Sequence, residues 1–377
     1  MSTTAEVIPV HGTATGAFAP LKDVFGRMVG DQGGGGASLV IRHHGQVVVD
    51  VHGGDFDDRA LVPVYSVSKL VTAIAITTLE AAGELDLDEP LSLVWPDLDK
   101  AETAAITLRM VLSHRSGLVS FDRRFTLDEL LSHADDAAIA TQRTYWEPGS
   151  AHGYHAVSYG TLVDGYLRRK LGRSTAELVA ERVATPLNAE FWLGAPASVL
   201  DRIHAVEYQP GAVTDHVSRY LADSPIPPSP TGHIRASVDF WNSRDVHTAS
   251  LPSSSGIASA HGLASILAAT LDGTVLNEAA RDRMVATQAR GHDQFLGIDM
   301  HYGSGVQLPC PQLPFLGPGS YGHEGAGGTL AFADREFDIA LAWTTSVFPR
   351  MAGASPGSLA LLSTLRHCLT ADQSTVD

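Results

Sequence analysis

The 377-residue chain is 44% hydrophobic and 18% charged, with 26 basic against 42 acidic side chains and a formal charge of −16. That balance argues against wholesale disorder and disfavours nucleic acid or an anionic membrane surface as a partner. Two cysteines, Cys310 and Cys368, leave no disulfide framework and no thiolate zinc cluster. No stretch reaches the roughly 18 apolar residues that cross a bilayer. Residues 1–12 carry neither a basic run nor an apolar run of the secretory kind, so a cytoplasmic protein is expected. The length suits one large domain or two interleaved ones.

In chain order, residues 1–20 form a terminal arm, and residues 21–28 predict a short amphipathic helix, broken by the glycine run 33–36. Residues 37–41 and 47–51 are two β-rich runs around a His43-His44-Gly45 turn, which reads as a hairpin. His43 and His44 lack a carboxylate or cysteine at ligand spacing, so no metal is expected there. Residues 66–82 predict a helix with apolar side chains nearly all round, hence a buried one, with Gly83 as its stop. Helical patterns follow at 106–112 (Thr107 as cap), 127–138, 157–170 and 175–184. Residues 208–255, rich in Pro, Ser and His, read as a long loop at the rim of a cleft. Helices are predicted at 256–271, 278–288 and 358–369, and strands at 329–333 and 338–345 joined by a turn at 334–336. The expected architecture is an antiparallel sheet from both chain ends. It comprises residues 1–84 and 245–377, with a mainly helical subdomain at 85–244.

The chemistry centres on Tyr65-Ser66-Val67-Ser68-Lys69, at the start of the buried helix. Ser66 and Lys69 share one helical face. A neutral lysine amine can take the proton from a serine hydroxyl and make it a nucleophile. Of the four lysines, Lys69 alone has a serine three residues before it. The alternative is a capping serine followed by a surface lysine. Two further stretches accompany the pair. Gly153-Tyr154-His155-Ala156 brings a phenol to a turn, either as proton relay or as core plug. Gly322-His323-Glu324-Gly325-Ala326-Gly327-Gly328 is glycine-rich and leads into a strand, where it could expose an amide to a substrate oxygen or be a simple turn.

In that order the three motifs resemble the serine β-lactamase and penicillin-recognising superfamily, class C-like, and within it the family VIII carboxylesterases. The resemblance spans roughly residues 20–370 and includes the segment 106–118 (ITLRMVLSHRSGL) and Pro148-Gly149. It implies an α/β (α+β) β-lactamase-like fold and no metal or cofactor. Ser66 becomes the nucleophile, Lys69 its base and Tyr154 a second proton carrier. The backbone amides of Ser66 and Ala326 become the oxyanion hole. His323 and Gly325, in the place of Lys-Thr-Gly, become substrate-binding residues.

Two departures bear on the substrate. Ala156 stands where the β-lactamases carry an asparagine, and His323 stands where a lysine attracts the β-lactam carboxylate. Both favour esters of short acyl chains, with His323 expected to regain a positive charge below about pH 6. A β-lactamase, an acyltransferase and a non-catalytic scaffold of the same fold are the alternatives. A rival serine, Ser355 in Gly353-Ala354-Ser355-Pro356-Gly357, matches a nucleophile elbow, but Pro356 lacks the N–H an oxyanion hole needs there.

Overall fold

A computed structural model describes residues 8–209, 238–349 and 356–373. Nine strands make one antiparallel sheet. In chain order they are Val10–Ala14, Gly36–His43, Gln46–Gly54, Ala289–His292, Asp299–Tyr302, Gln307–Leu308, Ser320–Glu324, Leu330–Asp334 and Ile339–Thr345. The first three pair among themselves, and Gly36–His43 joins Ile339–Thr345 along seven residues, so the two chain ends meet at the centre of the sheet. The predicted hairpin forms with His44 (φ 48°) and Gly45 (φ 72°) at its turn, the two positive values that match strand twist. The His44 ring lies 3.0 Å from Asp338.

Side chains alternate between the faces with period two. Leu39, Ile41, Leu341 and Trp343 pack with the helix Pro20–Gln32 and the closing helix Pro356–Gln373. Val40, Ala331, Ala340 and Ala342 pack against the helices Val67–Ala81 and Ala260–Leu271. Small residues on this second face let the helices approach closely. A third apolar cluster runs from Ile76 to Leu178 and is built on Trp95, Leu112, Tyr159 and Tyr166.

Several sequence expectations are corrected. The helix predicted at 256–271 begins at Ala260, where Ser259 caps it by accepting from the Gly262 amide at 3.0 Å. Gly256–Ala258 is instead a strand between Val62–Pro63 and Phe191–Leu193. The reason is closeness: a Cβ on Gly256 would sit 2.6 Å from Ser68 Oγ. The helix at 127–138 is two, Leu127–Leu131 and Ala134–Thr141, separated by the left-handed His133 (φ 59°). The helix at 278–288 ends at Val285 because Ala289–His292 is claimed by the sheet. The four strands between Ala289 and Glu324 were not expected. They are only two to five residues long, too short for a period to declare itself. Pro225 to Pro230 and Ser355 lie outside the described residues.

Candidate active site

Tyr65 enters the central helix in a left-handed conformation (φ 49°), a strained position for a residue with a bulky side chain. Its ring is buried against Trp241 and Phe348, at 4.8 and 5.0 Å between centroids, and that packing holds the turn. Ser66 follows as the residue before Val67–Ala81, half-buried, and its hydroxyl caps nothing. Lys69 is fully buried rather than a surface side chain. The capping-serine alternative therefore fails on both residues.

The surroundings of Lys69 decide its chemistry. Its Nζ donates to the carbonyls of Ser253 (2.9 Å) and Ala156 (3.0 Å), and Ser66 Oγ lies 3.3 Å away. A carbonyl only accepts, so the two carbonyls take two N–H bonds. In the neutral amine the remaining direction, toward Ser66, carries the lone pair. Burial holds the amine down to a pKa of about 7, and no carboxylate offsets that cost. Above about pH 7 an uncharged base thus faces the serine hydroxyl.

Tyr154 comes from the other side of the cleft, with Lys69 Nζ 5.0 Å from its ring centroid. Its loop is fixed by bonds that are far apart in sequence. The Tyr154 amide donates to Asp293 Oδ1 at 3.1 Å. That buried carboxylate also accepts from the amides of Phe295 and Leu296 and from the Tyr302 hydroxyl. The His155 amide donates to His114 Nδ1 (3.1 Å), and the His155 ring bridges Gly153 O and Ser116 Oγ, each at 2.6 Å. Burial drives His155 down to about 4, so it is neutral. The segment 113–118 also anchors this loop through its backbone, since the carbonyls of His114, Arg115 and Gly117 all accept from residues 145–153.

His323 sits on Ser320–Glu324, 2% exposed, its ring 6.0 Å from that of Tyr154. Its Nδ1 lies 2.6 Å from the Glu324 carbonyl. Burial, and then the nearby Lys69, push its pKa down to about 3. The expected recovery of positive charge below pH 6 is therefore overturned. The glycine turn after it is packed on the catalytic helix entrance, since Cβ atoms on Gly325 and Gly327 would lie 2.6 Å from Val64 O and 2.1 Å from the Tyr65 ring. Gly325 spends its own amide on Thr329 O at 2.7 Å. The amides of Ser66 and Ala326 have no acceptor among the described residues, and both residues line the same cleft. Both N–H groups are thus unpaired at the cleft.

Phe240, Trp241, Leu251, Phe295, Leu296 and Phe348 give the cleft a large apolar surface, beside the polar side chains of Asp135, Asp136, Asp164, Arg168 and Gln307. Glu324 also lines it, half-buried, with its carboxyl pushed up to about 7 by burial. Among the described residues no three His, Cys, Asp or Glu side chains converge as a metal-binding group. Ser253 and Asp293 escaped the sequence reading. The first acts through its backbone carbonyl, which no motif records, and the second is a lone aspartate in a loop.

The model of the beta-lactamase family matches residues 21–365. The chain is 27% identical over 365 residues to the esterase/beta-lactamase LipL of Mycobacterium tuberculosis, covering 88% of this chain and 82% of that protein. It is 25% identical over 384 residues to the esterase EstB of Burkholderia gladioli, covering 90% and 93%. In three dimensions it matches a family VIII carboxylesterase with a TM-score of 0.84, at 24% identity and over 96% of this chain and all of the other, which establishes the fold.

Proposed function

Because the chain belongs to the beta-lactamase family, we propose that it is a serine carboxylesterase working through an acyl-Ser66 intermediate. Ser66 Oγ attacks the ester carbonyl as its proton passes to the Lys69 amine. The carbonyl oxygen becomes an oxyanion received by the amides of Ser66 and Ala326. Tyr154 hands a proton to the departing alcohol oxygen, and the C–O bond breaks. Water then enters, loses a proton through the same groups and releases the acid from Ser66. No cofactor takes part in these steps.

The observation that carries the reading is the buried Lys69 amine, its Nζ held by two carbonyls, 3.3 Å from Ser66 Oγ and easily deprotonated because burial lowers its pKa to about 7. The likeness to proteins named as esterases supports the ester class. Neutral His323 and Ala156 offer a substrate carboxylate no cation or amide at those two positions, which supports short neutral esters over β-lactams. Gly325 then serves by packing the turn that presents Ala326. The cluster from Ile76 to Leu178 supports a helical subdomain within residues 85–244, forming one wall of the cleft. Both cysteines are buried and unbridged, which suits the reducing cytoplasm. Among the described residues no helix is long and apolar enough to cross a membrane.

Intact-mass analysis after a fluorophosphonate probe tests the assignment. The expected result is one adduct on the wild type and none on Ser66→Ala. An adduct that persists on Ser66→Ala overturns it.

A further inference from the structure

The buried ring of His323 has one nitrogen whose role is fixed by geometry and one that is unused. Its Nδ1 lies 2.6 Å from the Glu324 carbonyl, which can only accept, so Nδ1 carries the ring proton. The ring is neutral, because burial and the nearby Lys69 disfavour a second proton. Nε2 therefore presents a lone pair. It is buried and has no partner among the described residues. A buried acceptor left unpaired is costly, and at a functional site it calls for a role.

The backbone that carries the ring is fixed. His323 is in register with Ala331 in the sheet, and the next residue, Glu324, donates its amide to Gln307 Oε1 at 2.9 Å. The His323 and Tyr154 rings lie side by side, 6.0 Å apart. Tyr154, on the reading given above, delivers the proton to the departing oxygen. A group next to Tyr154 therefore meets the alcohol part of the ester rather than its acyl chain. A carboxylate or an ether oxygen there would oppose one lone pair to another. A hydroxyl hydrogen would complete the bond.

We propose that His323 Nε2 accepts a hydrogen bond from the leaving alcohol, and that the preferred substrates are esters whose alcohol bears a second hydroxyl close to the ester oxygen, as in a monoester of a diol. His323 is then a specificity-determining residue. This inference rests on the assignment of Ser66 as nucleophile and Tyr154 as proton carrier, and its test separates the two.

The first measurement is kcat/KM for 2-hydroxyethyl, propyl and 2-methoxyethyl acetates, compared as ratios within one enzyme. The wild type should favour the hydroxyethyl ester over both others by about tenfold, the effect of one neutral hydrogen bond. His323→Leu, which removes the acceptor, should bring the ratios to about one. His323→Gln retains an acceptor oxygen and should keep part of the preference. A wild-type ratio at or below one overturns the proposal. So does an unchanged ratio in folded His323→Leu, or a methoxyethyl ester equal to the hydroxyethyl one, which would mean that water alone completes Nε2.

The second measurement needs no turnover. In 15N-histidine-labelled Ser66→Ala protein, the nitrogen signals absent from His323→Leu belong to His323. They should show protonated Nδ1 and bare Nε2, and Nε2 should move toward its hydrogen-bonded position with 2-hydroxyethyl acetate but not with propyl acetate. A bare Nδ1, or no selective movement, overturns the proposal even where the serine chemistry holds. Ester turnover that survives in Ser66→Ala would instead sink the serine assignment, leaving the nitrogen signal to judge His323 by itself.

Discussion

The two sides of the cleft are built in opposite ways. Ser66 and Lys69 sit three residues apart on one helix whose other faces are sealed in the core, so their relative position follows from helix geometry. Tyr154 and His323 belong to a loop and a strand that meet only through tertiary bonds, to Asp293, His114 and the sheet. The first side is rigid through its own backbone, and the second only because distant residues clamp it. Loss of chemistry should therefore separate from loss of structure on the helix side and mix with it on the loop side.

The largest effect is expected on the helix side. Ser66→Ala should lower kcat by at least ~10³-fold with the melting temperature unchanged, while Ser355→Ala leaves turnover at the wild-type level. Steady-state kinetics on a nitrophenyl ester, with a thermal melt of each variant, provide the check.

Tyr154→Phe keeps the ring and its packing and removes the hydroxyl. A loss of ~10²–10³-fold in kcat at constant melting temperature is expected for a lost acid–base group. Full turnover in that variant would reduce Tyr154 to a packing residue.

Substrate class comes next. A chromogenic cephalosporin should be at least ~10-fold poorer in kcat/KM than a short-chain nitrophenyl ester, since neither His323 nor Ala156 offers the carboxylate a cation or an amide. Burial holds the His323 pKa down to about 3, whereas it pushes the cleft carboxyl of Glu324 up to about 7, so a rise of the β-lactam to ester ratio from pH 8 to pH 5 should follow Glu324 and flatten in Glu324→Gln. A rise that persists in Glu324→Gln would show that His323 gains charge in that range.

The clamp itself can be cut. Asp293→Ala strands three amides and a phenol, and should cost about 3 kcal/mol of stability, read from urea unfolding. It should also lower kcat about tenfold by loosening Tyr154. A stability loss without any change in kcat would uncouple the loop from catalysis.

The smallest effect is in pH. Neutral Lys69 is the active form, so kcat/KM should rise through an apparent pKa near 7 and level off above it. The sign for stability follows from the same shift. Between about pH 7 and the unfolded value near 10.4, the unfolded chain holds a proton that the folded one has released. Stability from this group therefore grows as pH rises across that window. Lys69→Met should remove the dependence and leave the protein inactive at an equal or higher melting temperature.

What the sequence by itself determined is whatever depends on residues near one another in the chain. The buried central helix, the hairpin at 37–51, the Ser66–Lys69 pair and the joining of both chain ends in one sheet were legible because 3.6- and 2-residue periods are local. The strands from Ala289 to Glu324 were not, because they are short and gain order from their neighbours. Gly256–Ala258 was misread because an apolar run can be helix or strand until close packing against Ser68 selects one. His323 shows the same division most sharply. Its place in the motif was legible, but its charge was set by burial and its free nitrogen by a carbonyl on the next residue, and neither desolvation nor tautomer exists until the fold closes.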